Sequence, residues 1–217
     1  MDVLEAMQKR RSVRSFLSRP VPEETIRQIL LNATRSPSGG NGQPWEIFVA
    51  AGATMEAIRK AYQQAYQQSG PPPRQTGGTP PPAYIRERMA TIRMERLNLL
   101  GLDPDDPASG KVLLEMSVGL YGAPALVVLC MDQALNSHFD MGLLAISIVL
   151  AAQGFGVDSI IAAAMIAHPE ILRQALEIPP HLNIIAGIGL GYADPDSLIN
   201  TYRSPRRPLD EVVRYKG

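Results

Sequence analysis

The sequence of 217 residues is poor in the residue types that usually announce a chemistry. A single cysteine, Cys130, excludes an intrachain disulfide and any zinc site built from thiolates. The three histidines, His138, His168 and His181, lack metal-ligand spacing. This usage leads to the expectation of a reducing, cytoplasmic setting. Net charge is absent too, with 21 Lys and Arg against 21 Asp and Glu. That balance removes any global attraction to nucleic acid or to an anionic membrane, and neither is expected as a partner. The most apolar run, MGLLAISIVLAA at 141–152, would be about 18 Å long as a helix, short of a bilayer. The charged start, MDVLEAMQKRR, lacks the apolar core of a signal peptide. Catalytic signatures are missing as well. GIGLG at 187–191 closes a strand instead of opening a helix, Asp105 and Val112 break the phosphate-loop pattern around Gly110-Lys111, and no G-x-S-x-G occurs. His138 and Asp140 stand two apart as a lone pair, which fits surface chemistry. An enzyme with this inventory must draw its reaction from an organic cofactor.

What is present is an ordinary globular composition, 45% hydrophobic and 19% charged, enough for one domain with its own core. We read the chain as a single domain over 1–217, with a helical and proline-rich excursion at about 69–112. Asp2 and Glu5 have cap spacing before a helix at 3–9. RSVRSF at 11–16 is extended, because Pro20 and Pro22 soon forbid helix. Pro22 opens a second helix whose buried stripe is Ile26, Ile29, Leu30 and Ala33 and which stops before Pro37. The pattern predicts strands at 46–51, 125–131 and 183–192, and helices at 54–68, 84–100, 111–121, 140–153 and 169–178. The glycines of 183–192 imply close backbone approach. The helix at 140–153 is apolar on nearly every side, so it needs cover at the domain centre or in a subunit interface. The tail after Gly191 has few core residues and needs a surface to lie on. Strands that do not alternate strictly with helices make the fold class α+β.

Three polar stretches stand out. In RRSVRSF an extended backbone sends Arg10, Ser12 and Arg14 to one side, along about 13 Å of strand. In RSPRRPL at 203–209, prolines stiffen the chain around Arg206 and Arg207, whose forks match phosphate oxygens. In RSPSGGNGQPW at 35–45, Asn41 and Gln43 offer donors and acceptors to a heterocycle edge, Gly39 and Gly40 allow close approach, and Trp45 can anchor the loop. Taken singly, these also read as a solvated basic strand, an exposed turn and a capped turn.

Their order is more telling. RRSVRSF (10–16), PSGGNGQPW (37–45), GFGVDSII (154–161), GIGLGYADP (187–195) and RRPLDEVV (206–213) together resemble the nitroreductase family of FMN-dependent oxidoreductases, along the whole chain except 53–120. The resemblance implies a nitroreductase-like fold, a central mostly antiparallel sheet surrounded by helices, in an intertwined homodimer that exchanges its C-terminal tail and holds FMN in the interface. It implies that Arg10 and Ser12 meet the FMN phosphate and ribityl chain, with Arg11 a further cofactor contact, that Arg14 sits at the pyrimidine edge, and that Arg206 and Arg207 close on the phosphate. Pro37, Ser38, Gly39 and Asn41 would come from the other subunit, and Gln43 is a further cofactor contact. The backbone of Ser159, Ile160 and Ile161 would face flavin N5. VDSIIA departs from the Cys-Pro or Pro-Glu-Gly-like stretch of many members, so the N5 donor stays open. NADH or NADPH would deliver hydride, and a nitroaromatic, quinone or similar flat acceptor would take it in a ping-pong cycle without a protein acid or base. A cation at Arg14 would favour the reduced, anionic flavin. Residues 70–100 are a candidate wall or lid. Same-fold alternatives are dehalogenation, flavin fragmentation, enone or azo reduction, or flavin binding without catalysis.

Overall fold

In a computed structural model, which describes residues 1–71 and 80–217, four strands and eight α-helices form among the described residues. The strands are β1 (Trp45–Ala51), β2 (Ala125–Asp132), β3 (Asp158–Ile161) and β4 (Leu182–Gly191). They make one antiparallel sheet in the order β1-β2-β4-β3. The run ALVVLCM puts β2 inside, where every residue from Ala125 to Met131 is buried. Its side chains alternate between two cores. Leu126, Val128 and Cys130 face one, which also holds Met55, Ile58 and Tyr62 of α3 (Gly52–Ser69) and Leu172 of α7 (Pro169–Leu176). Val127, Leu129 and Met131 face the other, with Ile26 and Ile29 of α2 (Glu23–Ala33) and Leu144 and Ile148 of α6 (His138–Gly154). Helices thus cover both faces of a central sheet, as the α+β reading requires.

α1 (Val3–Lys9) starts where the Asp2 carboxylate accepts from the Glu5 N–H at 2.8 Å. Pro22 caps α2 from one position before it, not from its first turn. The excursion carries α4 (Ala83–Leu99) and α5 (Ser109–Val118), and the tail ends in the single turn of α8 (Leu209–Val212). The candidate lid at 70–100 falls partly on residues outside those described. β3 was not foreseen as a strand, because four residues are too few to show a period.

The glycines of β4 answer a packing demand. A Cβ on Gly187 would lie 2.5 Å from Met165 Cβ, on Gly189 2.6 Å from Met165 Cε, and on Gly191 2.6 Å from Pro124 Cδ and 2.7 Å from Phe16 Cδ1. Phe16 is there because residues 12–17 run along the sheet margin. The Val13 N–H donates to the Ser159 carbonyl at 3.0 Å, and the Leu17 N–H to the Tyr192 carbonyl at 2.9 Å. Within this chain α6 buries only one side. Met141, Leu144 and Ile148 are covered, while Phe139 is 77% and Ile146 41% exposed. No helix among the described residues is long and apolar enough to cross a membrane.

Candidate functional site: a cleft between the two chain ends

α1 stops at Arg10, whose N–H donates to the Ala6 carbonyl at 2.9 Å, and the chain then turns extended. Asn200 staples this segment to the start of the tail. Its Oδ1 accepts from the Arg14 and Ser15 N–H groups at 2.9 and 3.2 Å, and its Nδ2 donates to the Ser15 and Asp194 carbonyls at 2.7 and 2.9 Å. A buried amide with four good partners fixes geometry well. It brings the two ends of the chain together around a cleft of about 290 Å³. Five guanidinium groups line it: Arg10, Arg11 and Arg14 from one end, Arg203 and Arg206 from the other. Ser12, Ser204 and Tyr202 add hydroxyls, and no carboxylate lines it among the described residues.

The wall behind is cationic as well. The Arg14 guanidinium donates to the Ser12 carbonyl at 3.0 Å, and burial, helped by neighbouring Arg96, pushes it down to about 10, still charged at neutral pH. Arg96 lies over the Tyr202 ring, 5.3 Å from its centroid. The Tyr202 hydroxyl donates to Glu95 Oε2 at 2.5 Å, and burial with that bond raises its pKa. Tyr121, whose hydroxyl burial also pushes up, is held on a left-handed turn, φ 52° at Leu120 and 56° at Tyr121. Two side-chain nitrogens, Arg11 Nε and Arg96 Nε, are buried without a hydrogen-bond partner among the described residues. Orphans of this kind cost on the order of 1–3 kcal/mol each, and they cluster where a ligand completes a site.

The other predicted residues lie elsewhere. Arg207 turns away from the cleft and pairs with Glu211 at 3.1 Å. Ser159 and Ile160 are buried in β3, and Ile161 is exposed at its end. The polar loop is tied by hydrogen bonds: the Gln43 N–H donates to Ser38 Oγ at 2.9 Å, and Ser36 Oγ lies 2.6 Å from Ser147 Oγ of α6. Gly40, Asn41 and Gln43 all have positive φ, 55°, 58° and 45°. For Asn41 and Gln43 that is stored strain of the kind found at binding sites. Pro37 precedes this turn, and the Gly39 N–H points at the Asp140 carboxylate, 3.3 Å from Oδ2. Among the described residues His138 hydrogen-bonds to Asn136 and not to Asp140, so the two form no catalytic pair there.

In one chain the loop and the cleft stand at opposite corners of the sheet. Ser12 falls in the row Ala51–Ala125–Leu190–Ser159, at the far end of β1 from Trp45. That is about 20 Å along the strands and 19 Å across them, a diagonal of roughly 28 Å. α6, 17 residues and so about 25 Å long, runs from the loop toward β3 and spans the same gap. Sequence reasoning missed Arg96, Tyr121, Asn200 and Tyr202. Arg203 alone had a signal, as the first residue of the basic stretch at 203–209.

A model of the Nitroreductase family matches residues 7–192, and the chain belongs to that family of oxidoreductase enzymes. It is 29% identical over 213 residues to a 4-nitrobenzoate reductase of Nocardioides sp. (strain LMS-CY), covering 95% of this chain and 86% of the relative. Its fold is similar to that of the FMN and NADPH-dependent nitroreductase NfnB from Sphigopyxis sp. strain HMH, with a TM-score of 0.91, 26% identity and full coverage of both chains. The FMN-dependent nitroreductase NfnB from Mycobacterium smegmatis, solved in complex with NADPH, gives a TM-score of 0.87 at 28% identity, again over both whole chains.

Proposed function

We propose that the protein is a homodimeric, FMN-dependent NAD(P)H oxidoreductase that reduces nitroaromatics, quinones or similar flat acceptors. The observation that carries this reading is the cleft itself: five guanidinium groups and, among the described residues, no carboxylate and no acceptor for the buried Arg11 Nε. A phosphate monoester is a dianion with three acceptor oxygens, and it suits that donor set. Arg10, Arg11, Ser12, Arg203 and Arg206 are the proposed phosphate and ribityl contacts. Arg14, set deeper and partly desolvated, is the proposed partner of the pyrimidine edge, where a fixed cation favours the negative charge that reduction creates. Ser159, Ile160 and Ile161, beside Ser12 at the sheet margin, are the proposed neighbours of N5. Arg207, held by Glu211, contributes to the tail more than to the phosphate. The chemistry supplied by bound FMN is relay of a hydride from NADH or NADPH to the acceptor.

A second copy supplies what one chain holds too far away. Pro37, Ser38, Gly39, Asn41 and Gln43 reach the ring from the partner subunit in this proposal. Three features support it: the diagonal separation of loop and cleft, the uncovered apolar side of α6 with Phe139 and Ile146, and a tail that leaves Leu209, Val212 and Tyr215 exposed. An exchanged tail would cover such residues. The test is direct. The purified protein should be yellow, dimeric by light scattering, and should oxidise NADH or NADPH when offered a nitroaromatic or quinone. A colourless protein that takes up no added FMN would overturn the reading, and a monomer fully loaded with FMN would overturn the shared site. Turnover of halogenated phenols in place of nitroaromatics would move the chemistry to dehalogenation.

A further inference from the structure

Arg96 has no part in the contacts above, yet its surroundings are unusual. It stands in the last turn of α4, with its guanidinium over Tyr202 and its Nε buried without a partner. The adjacent carboxylate, Glu95, already accepts from the Tyr202 hydroxyl. Arg14 is near enough that the two cations repel, and its own bond runs to the Ser12 carbonyl. Neither takes part in the four ion pairs formed among the described residues. Two half-buried cations with no carboxylate between them are unfavourable twice over, by desolvation and by repulsion. Burial, the larger cause, lowers the pKa of both. Arg14 and Tyr202 line the cleft, so the pair's open side is the cleft.

We propose that Arg96 is a positioning residue of the cofactor site, acting through Arg14 and Tyr202. From behind, it holds the Arg14 fork toward the cleft and adds a second positive charge to the wall that meets the reduced flavin. This rests on the FMN reading above. Its signature is opposite effects in the two states of the protein. Without cofactor, Arg96 is a burden, because burial outweighs the pull of Tyr202, Tyr121 and Glu95 on its charge and its Nε has no partner among the described residues. With an electron-rich ring in the cleft, the same charge is favourable, and more so when that ring is reduced.

The experiment compares the wild type with Arg96→Gln and Arg96→Lys, each with FMN and stripped of it. The readouts are melting temperature, FMN affinity from fluorescence quenching, and the flavin midpoint potential from spectroelectrochemistry. For Arg96→Gln, the stripped protein should melt higher than the wild type and bind oxidised FMN several-fold more weakly. Its preference for reduced over oxidised flavin should fall about tenfold, which lowers a two-electron potential by about 30 mV. Arg96→Lys keeps the charge and should keep the wild-type potential. An Arg96→Gln protein with unchanged potential and affinity overturns the role. So does one that melts lower in both states, or an Arg96→Lys protein that shifts as far as Arg96→Gln. A wild type that takes up no FMN overturns the function itself, whereas a loaded wild type with an indifferent Arg96 overturns only this inference.

Discussion

Cations on the outer surface and cations in the cleft live under different terms. Away from the cleft, Lys9 pairs with Glu5, Arg27 with Glu24, Arg59, which is mostly buried, with Glu56, and Arg207 with Glu211, each three or four residues apart. In the cleft five guanidinium groups face one another and no carboxylate lines the wall among the described residues. The contrast is sharpest between Arg206 and Arg207, neighbours in sequence, of which the first faces the cleft and the second meets Glu211. An exposed pair of the second kind contributes about 0.2–1 kcal/mol and uses up its charge. Cations of the first kind keep their charge for a ligand, and Arg14, the deepest of them, does so at a cost to the empty protein. A protein that leaves its binding charges unmatched has placed function ahead of stability at that spot.

Four variants would break or sharpen this contrast. The largest effect is expected from Arg10→Ala combined with Arg206→Ala, one from each chain end. Two lost charge-assisted bonds should weaken FMN binding at least about a hundredfold in a titration of stripped protein. Next comes Ser204→Asp, which gives the cleft the carboxylate it lacks. Melting of the stripped protein should rise, while FMN affinity falls about thirtyfold through repulsion of the phosphate. If melting falls instead, the cleft cations were not in conflict. Arg14→Ala follows, with about a tenfold loss of preference for reduced over oxidised flavin, read as a lower midpoint potential. The smallest effect belongs to Arg207→Ala, for which FMN affinity should stay within about threefold and stability within about 1 kcal/mol. An Arg207→Ala loss equal to that of Arg206→Ala would erase the distinction between the two arginines.

The sequence carried much of this where a regular period or a steric demand was at work. β2 announced itself by an unbroken apolar run, α2 by its stripe, and β4 by glycines that prove to face Met165, Pro124 and Phe16. The alternation in 10–14 placed Arg10, Ser12 and Arg14 on one side, and all three line the cleft. Alternation failed at Arg11, which lines it too, because the first sheet bridge of this segment is at Ser12 and Arg11 stands before it, where the chain leaves α1. The divergence of Arg206 and Arg207 had a signal in the i, i+4 spacing of Arg207 and Glu211, which α8 makes real. Other parts left no local trace. β3 is too short for a pattern, and Leu120 and Tyr121 are ordinary residues forced into a left-handed turn by their surroundings. Asn200 matters through partners some 185 positions away. α4 carries charge around its whole circumference, so nothing in its sequence distinguishes Arg96 from the arginines that face solvent.

The central claim is that arginines from the two ends of the chain bind the phosphate of FMN. Riboflavin has the same ring and ribityl chain without that phosphate, so one comparison isolates the claim. Stripped protein should bind FMN at least about a hundredfold more tightly than riboflavin at low salt, and most of that preference should be lost when Arg10 and Arg206 are both alanine, Arg11 and Arg203 keeping the remainder. Equal affinity for the two ligands in the wild-type protein would contradict it.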